Sequence, residues 1–167
     1  NYILGLDPSL SSTGWAVING DTGTIIECGK FTTSNKDCED DRLYKIGTAI
    51  NLILDKHTIR SAVMESQFLH KNVTVSMQLS RVRGVLVYIL KCHGASIEHY
   101  SPSEIKLAIT GHGNSDKEDV AKSIIECHGD NPVIQAIGTY SDKSNKSKTS
   151  DIYDAIAVGL TSLSLVR

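Results

Sequence analysis

Hydrophobic and polar positions along the chain predict five short strands. An apolar run from Tyr2 to Leu6 ends at Asp7, and after a turn of small residues that includes Gly14, further apolar runs cover 14–18 and 24–31. These three runs follow one another closely enough to pair as antiparallel hairpins. Two later apolar runs, at 61–66 and 96–100, predict the remaining strands.

Helical spacing accounts for most of the rest. Apolar residues recur three or four positions apart over 42–56 and 74–93. Capping patterns at 101–104 and 115–118 predict two more helices, the second ending at Gly129. We expect 129–150, rich in Ser, Lys, Asn and Gly, to be a loop, and a last helix to begin near Ser150. This order predicts an α/β fold, with a mixed five-stranded sheet flanked by α-helices.

Length and composition indicate a globular chain. With 167 residues, 40% of them hydrophobic and 22% charged, we expect a single domain over 1–167 with a sizeable core. The chain starts at Asn1 without an initiator Met, so we expect it to have been trimmed or to have lost a tag. We find no signal-peptide pattern and no long apolar span, and expect a soluble cytoplasmic protein with no membrane partner.

The four cysteines do not predict a zinc site. None stands in a CxxC pair. Two are each followed by a histidine, but neighbouring residues rarely both reach one metal ion. We therefore expect free structural thiols, which fit a reducing compartment.

The charge distribution is more informative than the net charge of −2. No acidic residue lies between Glu65 and Glu98, whereas Lys71, Arg81 and Arg83 all fall there. A near-neutral protein with this pattern has either one basic face that contacts backbone phosphates or an ordinary solvated surface.

Two acidic residues end apolar strands. Asp7 and Glu65 each lie at the carboxyl end of a predicted buried strand, which is the edge where sites gather in α/β sheets. Such carboxylates suit a metal ligand or an acid–base group. Asp7 could instead make only an Asx-turn with the loop amides that follow it.

A second acidic pair lies in the last helix. Asp151 and Asp154 are three residues apart and share one helix face, in what we expect to be the first turn. Simple capping would explain Asp151. Asp154 stands in an apolar segment with no basic residue at helical spacing, so its carboxylate needs another partner.

A divalent cation shared with Asp7 and Glu65 would provide that partner. Crowded acids are tolerable around divalent cations, and oxygen-only ligands suit Mg²⁺ or Mn²⁺ rather than zinc. A pair of such ions is a common device for phosphodiester hydrolysis.

Five stretches of the chain, in this order, resemble the RuvC-type Holliday junction resolvases of the RNase H-like (retroviral integrase) superfamily. They are "ILGLDPSLSSTGWAVI" (3–18), "AVMESQFLHKN" (62–72), "RVRGVL" (81–86), "YSPSEIKLAITGHGNSDKEDV" (100–120) and "DIYDAIAVGL" (151–160). The resemblance implies an RNase H-like fold and a metal-binding acidic tetrad. Its members here are Asp7, Glu65, Asp151 and Asp154.

The resemblance also assigns roles in DNA binding. Lys106 and Lys117 match lysines near the scissile phosphate, where a positive charge stabilises the transition state; alone, each would be a solvated helix lysine. Phe68 matches an aromatic wedge that stacks on bases, the alternative being a core phenylalanine. His112 and Asn114, in a glycine-containing loop, are further candidate phosphate contacts.

The implied activity is metal-dependent resolution of four-way DNA junctions by symmetric nicking in recombination and repair. The family pattern adds a homodimer formed through the helix 74–93, two Mg²⁺ ions (Mn²⁺ substituting) and no small-molecule cofactor. The serine-rich first loop and the lysine-rich segment 129–150 depart from that pattern and suggest a divergent, phage-encoded branch. They leave open cleavage of Y-junctions and forks.

Three alternatives remain at this point. An RNase H-like nuclease could cut RNA or non-junction DNA. An actin-like ATPase shares a phosphate loop similar to "GLDPSLSSTGWAV", but this chain is too short for its two domains and shows no second phosphate motif. A catalytically silent junction-binding protein would have no need for four crowded acids.

Overall fold

A computed structural model describes residues 1–66, 72–138 and 143–164, the last of these with side chains from Thr149 onward. Five strands form one sheet in the order β3-β2-β1-β4-β5. β2 pairs antiparallel with β1 and β3, and β4 pairs parallel with β1 and β5. The predicted mixed sheet is confirmed. The strands are β1 (Tyr2–Asp7), β2 (Ser12–Asn19), β3 (Ile25–Thr32), β4 (Ile59–Glu65) and β5 (Ser96–Tyr100).

Helices cover both faces of the sheet. They are α1 (Glu39–Lys56), α2 (Val73–Cys92), α3 (Pro102–Thr110), α4 (Lys117–His128), α5 (Pro132–Ile137) and α6 (Lys143–Ser164). α3 has the predicted capping box of Ser101 and Glu104. α4 begins one residue later than expected, because Asp116 and Asp119 form its capping box.

The prediction of a loop over 129–150 is wrong in two places. Asn131 caps α5, with Pro132 in the first turn, and α6 already begins at Lys143. The first turns of α6 are polar, so they lack the apolar spacing by which the sequence indicates a helix. Asp151 and Asp154 consequently lie more than two turns inside α6, and the capping explanation of Asp151 is excluded.

Two apolar cores flank the sheet. One lies between the sheet and α1 and α2, and includes Leu4, Leu6 and Leu86. The other lies beneath α6, with α3, α4 and α5 packed around it, and includes Ile3, Val63 and Ile156. Alternate residues of each strand therefore point into different cores, which determines which side chains can meet α6.

α2 differs from the expectation that the chain has no long apolar span. By length and composition alone this 20-residue helix could cross a membrane. It packs against α1 and β5, however, and its side chains Val82, Leu86 and Leu90 are fully buried. Burial in the core therefore accounts for the apolar residues on one side of α2.

Candidate active site

The ends of β1 and β4 bring the first two acids to one edge of the sheet. In the parallel pairing Leu6 lies opposite Met64, so Asp7 and Glu65 are the next residues along neighbouring strands. Both stand an even number of positions from Ile3 and Val63, whose side chains pack under α6. Strand alternation therefore directs both carboxylates to the α6 side.

Glycines let the α6 backbone lie directly on the sheet. Gly14 pairs with Asp7 across β1 and β2, and a Cβ atom on Gly14 would lie only 1.9 Å from the carbonyl oxygen of Asp151. A Cβ on Gly5 would lie 2.1 Å from the carbonyl oxygen of Ala155. This close approach brings Asp151 and Asp154 to the edge that carries Asp7.

Sequence reasoning missed this role. The sequence predicts Gly14 at the boundary between the turn and the strand 14–18, whereas it lies inside β2, which begins at Ser12. A glycine inside an apolar strand is a known mark of close backbone approach, so the information was present in Gly5 and Gly14.

The four acids influence one another electrostatically. Burial, and after it the carboxylates of Asp154, Asp151 and Glu65, together raise the pKa of Asp7 to about 7, although the Lys117 ammonium acts in the opposite direction. Burial likewise raises the pKa of Asp154 and of Glu65. The fold thus gathers four acids and leaves the carboxylates of Asp7, Asp154 and Glu65 poorly solvated, in a place where negative charges repel.

Two lysines bring positive charge to this site. Lys117, the first residue of α4, donates a hydrogen bond to Oδ2 of Asp154 at 2.5 Å. It is the side-chain partner that the sequence did not provide for Asp154. Lys106 on α3 is half-buried, and its charge lowers the pKa of Glu65 against the larger effect of burial.

Asp151 is held by two residues that the sequence did not indicate. The Ser12 hydroxyl donates a hydrogen bond to Oδ2 of Asp151 at 2.5 Å, and the Lys30 ammonium lies 3.7 Å from the same oxygen. Within the described part of the chain, no three acidic, histidine or cysteine side chains are arranged to hold a metal ion. Asp151 and Asp154 instead form ion pairs with Lys30 and Lys117, respectively.

The expected DNA contacts occupy different environments. Arg81 forms an exposed ion pair with Glu39 at 2.6 Å. Arg83 is half-buried and donates a hydrogen bond to the backbone oxygen of Glu65 at 2.7 Å, so it supports the end of β4. His112 and Asn114 are exposed in the loop between α3 and α4.

Two of the predicted DNA contacts, Phe68 and Lys71, lie outside the described residues. All four cysteines are free, as expected, and Cys28 is the only one of them that is partly buried.

Comparisons with known proteins agree with the fold. The structure of Thermus thermophilus RuvC in complex with Holliday junction substrate superposes with a TM-score of 0.81, at 20% identity, covering 99% of this chain and 94% of that one. Among curated proteins, crossover junction endodeoxyribonuclease RuvC of Ehrlichia ruminantium (strain Welgevonden) is 35% identical, over 95% of this chain and 93% of the relative.

A second curated relative and a family model extend the similarity to almost the whole chain. The Prochlorococcus marinus (strain NATL2A) RuvC is 31% identical over 98% of both proteins. The family model described as crossover junction endodeoxyribonuclease RuvC matches residues 3–162. The chain therefore belongs to the RuvC family of crossover junction endodeoxyribonucleases.

Proposed function

We propose that this protein is a structure-selective DNA endonuclease that resolves four-way junctions by hydrolysing phosphodiester bonds. The observation that carries the proposal is the gathering of Asp7, Glu65, Asp151 and Asp154 at one sheet edge of a RuvC-family fold. Relatives named crossover junction endodeoxyribonucleases, and a similar structure that holds a Holliday junction, support this choice of substrate.

The donor chemistry of the four acids suits divalent metal ions. The donors are carboxylate oxygens, which Mg²⁺ and Mn²⁺ prefer, and burial together with the neighbouring carboxylates raises the pKa of Asp7, an effect that a bound cation would oppose. We infer that the four acids hold two Mg²⁺ ions, for which Mn²⁺ can substitute. When bound, such ions supply positive charge for activating a water molecule and for stabilising the leaving oxygen.

The lysines then have a second role. Bound cations would compensate the negative charge of Asp154 and so weaken its ion pair with Lys117. Its side chain is 68% exposed and can turn to the scissile phosphate instead. Lys106 lies near Glu65 and can approach the same phosphate from α3. Both ammonium groups would stabilise the negative charge that develops on the phosphate oxygens.

A homodimer would provide two such sites for one junction. The outer side of α2 exposes Met77, Arg81 and Tyr88, at 50% for Met77 and 71% for Tyr88. Large exposed apolar side chains on a helix that is already packed on its other side indicate a protein contact. A two-fold pair of sites matches the near two-fold symmetry of a four-way junction and leads to paired nicks.

Cleavage of a substrate panel tests the proposal. A synthetic four-way junction, a Y-junction, a linear duplex and an RNA–DNA hybrid are incubated with Mg²⁺ or with a chelator. We expect Mg²⁺-dependent, symmetric, ligatable nicks in the four-way junction. Cutting of the Y-junction as well would indicate a broader branched-DNA nuclease, whereas preferential cutting of the hybrid would contradict the substrate assignment.

Variants of the acids test the catalytic assignment. Asp7→Asn and Glu65→Gln should lower the cleavage rate by at least about a thousandfold, since each removes a ligand for the ions that supply the largest electrostatic contribution. Junction binding, measured by gel shift in Ca²⁺, should remain. Asp130→Asn, an exposed acid outside the site, is the matched control. An equal loss of binding and cleavage would remove the support for a catalytic role.

A further inference from the structure

We propose that Ser12 is a positioning residue that orients the carboxylate of Asp151 toward bound metal, with Lys30 as the counter-charge on the same carboxylate oxygen. The inference rests on the proposed function for the metal, but its evidence is the arrangement of β2, β3 and α6. Neither residue belongs to the acidic group or to the expected DNA contacts.

The sheet register places both residues beside Asp151. Lys30 on β3 pairs with Gly14 on β2, and Gly14 pairs with Asp7 on β1, so the three lie in one row across the sheet. Directly paired residues point to the same face, which here is the α6 face. Because Gly14 has no side chain, α6 fits into the row between Lys30 and Asp7 at Asp151.

Ser12 reaches the same place along β2. It stands two residues before Gly14 and so has the same orientation on the strand. Its half-buried hydroxyl is 2.5 Å from Oδ2 of Asp151, a short bond of the kind that a hydroxyl makes to a charged carboxylate.

The two oxygens of Asp151 are therefore held unequally. Oδ2 receives the Ser12 hydroxyl and has Lys30 at 3.7 Å. Among the side chains that the structure describes, Oδ1 receives a single long hydrogen bond of 3.4 Å, from the Ser150 hydroxyl. A carboxylate fixed through one oxygen presents the other to a cation in a defined direction, which is how residues outside the ligand set tune a metal site.

The two partners of Oδ2 should differ in their effect on metal affinity. The Ser12 hydroxyl is neutral, so it acts through orientation alone. Lys30 carries a positive charge near the site, so it repels a bound cation as well as holding Oδ2. Removing the hydroxyl should weaken Mg²⁺ binding, whereas removing the ammonium should strengthen it.

Isothermal titration of the protein with Mg²⁺ alone, without DNA, tests this inference. Ser12→Ala should raise the dissociation constant by about tenfold or more, and Ser12→Thr, which keeps the hydroxyl, should restore it. Lys30→Met should lower it a few-fold. Thermal unfolding in chelator should show that all variants remain folded, and Lys36→Met, on an exposed loop, is the charge control.

Three results would overturn the inference. These are an unchanged Mg²⁺ affinity in Ser12→Ala, a failure of Ser12→Thr to restore it, and a loss of affinity in Lys30→Met as large as that in Ser12→Ala. Failure of the proposed function is seen separately, since the wild-type protein would then leave the four-way junction uncut while its Mg²⁺ isotherm still differed from that of Ser12→Ala.

Discussion

Asp7 combines burial with three acidic neighbours, and this combination determines its chemistry. Its pKa rises from 3.8 to about 7, so in metal-free protein between about pH 4 and pH 7 the folded state holds a proton that the unfolded state has released. Ionising this carboxyl in the fold works against folding unless a cation compensates the charge. The residue is therefore suited to bind a cation and poorly suited to stabilise the empty site.

Unfolding measurements against pH test this property of Asp7. The pKa of Asp7 is higher in the folded state than in the unfolded state. Its contribution to the free energy of unfolding therefore falls as pH rises from about 4 to about 7 and is constant above that range. Asp7→Asn removes this titration. In chelator the variant should therefore have the higher melting temperature at pH 8, and lose that advantage toward pH 4.

Magnesium gives the control for that experiment. Saturating Mg²⁺ at pH 8 should raise the melting temperature of the wild-type protein and leave Asp7→Asn almost unchanged, since a ligand that binds only the folded state stabilises it. Identical pH profiles for the two proteins in chelator would show that Asp7 ionises without hindrance in the fold.

At the scale of elements, the contact between α6 and the sheet depends on glycine. A Cβ on Gly14 would lie 1.9 Å from a backbone oxygen of α6, and neither the helix nor the sheet can give way easily. Gly14→Ala should therefore cost about 2–3 kcal/mol or more through overpacking. It should also displace Asp151 from Asp7 and weaken Mg²⁺ binding.

Thermal unfolding and Mg²⁺ titration of Gly14→Ala measure both effects. Gly113→Ala is the matched control, because a Cβ there would meet its nearest neighbour at an ordinary distance of 3.4 Å. We expect a lower melting temperature only for Gly14→Ala, by roughly 5–10 °C for a domain of this size. A Gly14→Ala protein with wild-type stability would show that α6 can shift without loss.

The sequence predicts most elements here because each has a local pattern. The strands ending at Asp7 and Glu65 are apolar runs, and α3 begins at a capping box. The first turns of α6 are polar and have no such pattern, so the sequence predicts a helix that begins near Ser150, whereas it begins at Lys143. A local pattern in the sequence therefore predicts the presence of a helix or strand more reliably than the residue at which it begins.

The site shows the same division between local and long-range information. Four acids with similar surroundings could be grouped from the sequence alone. The hydrogen bond from Ser12 to Asp151 joins residues 139 positions apart, and the ion pair of Lys117 with Asp154 also links distant segments. Such contacts depend on strand register and on glycines beneath α6, which no single stretch of sequence specifies.

At the scale of the whole molecule, we expect the outer face of α2 to determine whether nicks are paired. Met77→Glu with Tyr88→Glu places two charges on exposed apolar positions of α2, so we expect sedimentation velocity to show a monomer for this variant and a dimer for the wild-type protein. Tyr44→Glu, on the exposed side of α1 at 75% exposure, is the matched control and should remain dimeric.

A supercoiled plasmid with an extruded cruciform connects this assembly to function. Paired nicks within one binding event convert it to linear DNA, whereas a single nick relaxes the plasmid, which reabsorbs the cruciform and leaves a nicked circle. The wild-type protein and Tyr44→Glu should give linear product, and the α2 variant should give mainly nicked circles at an unchanged rate per site. Linear product from a demonstrated monomer would show that pairing of the nicks does not require the α2 face, because two separate monomers would then have cut the same cruciform before it was reabsorbed.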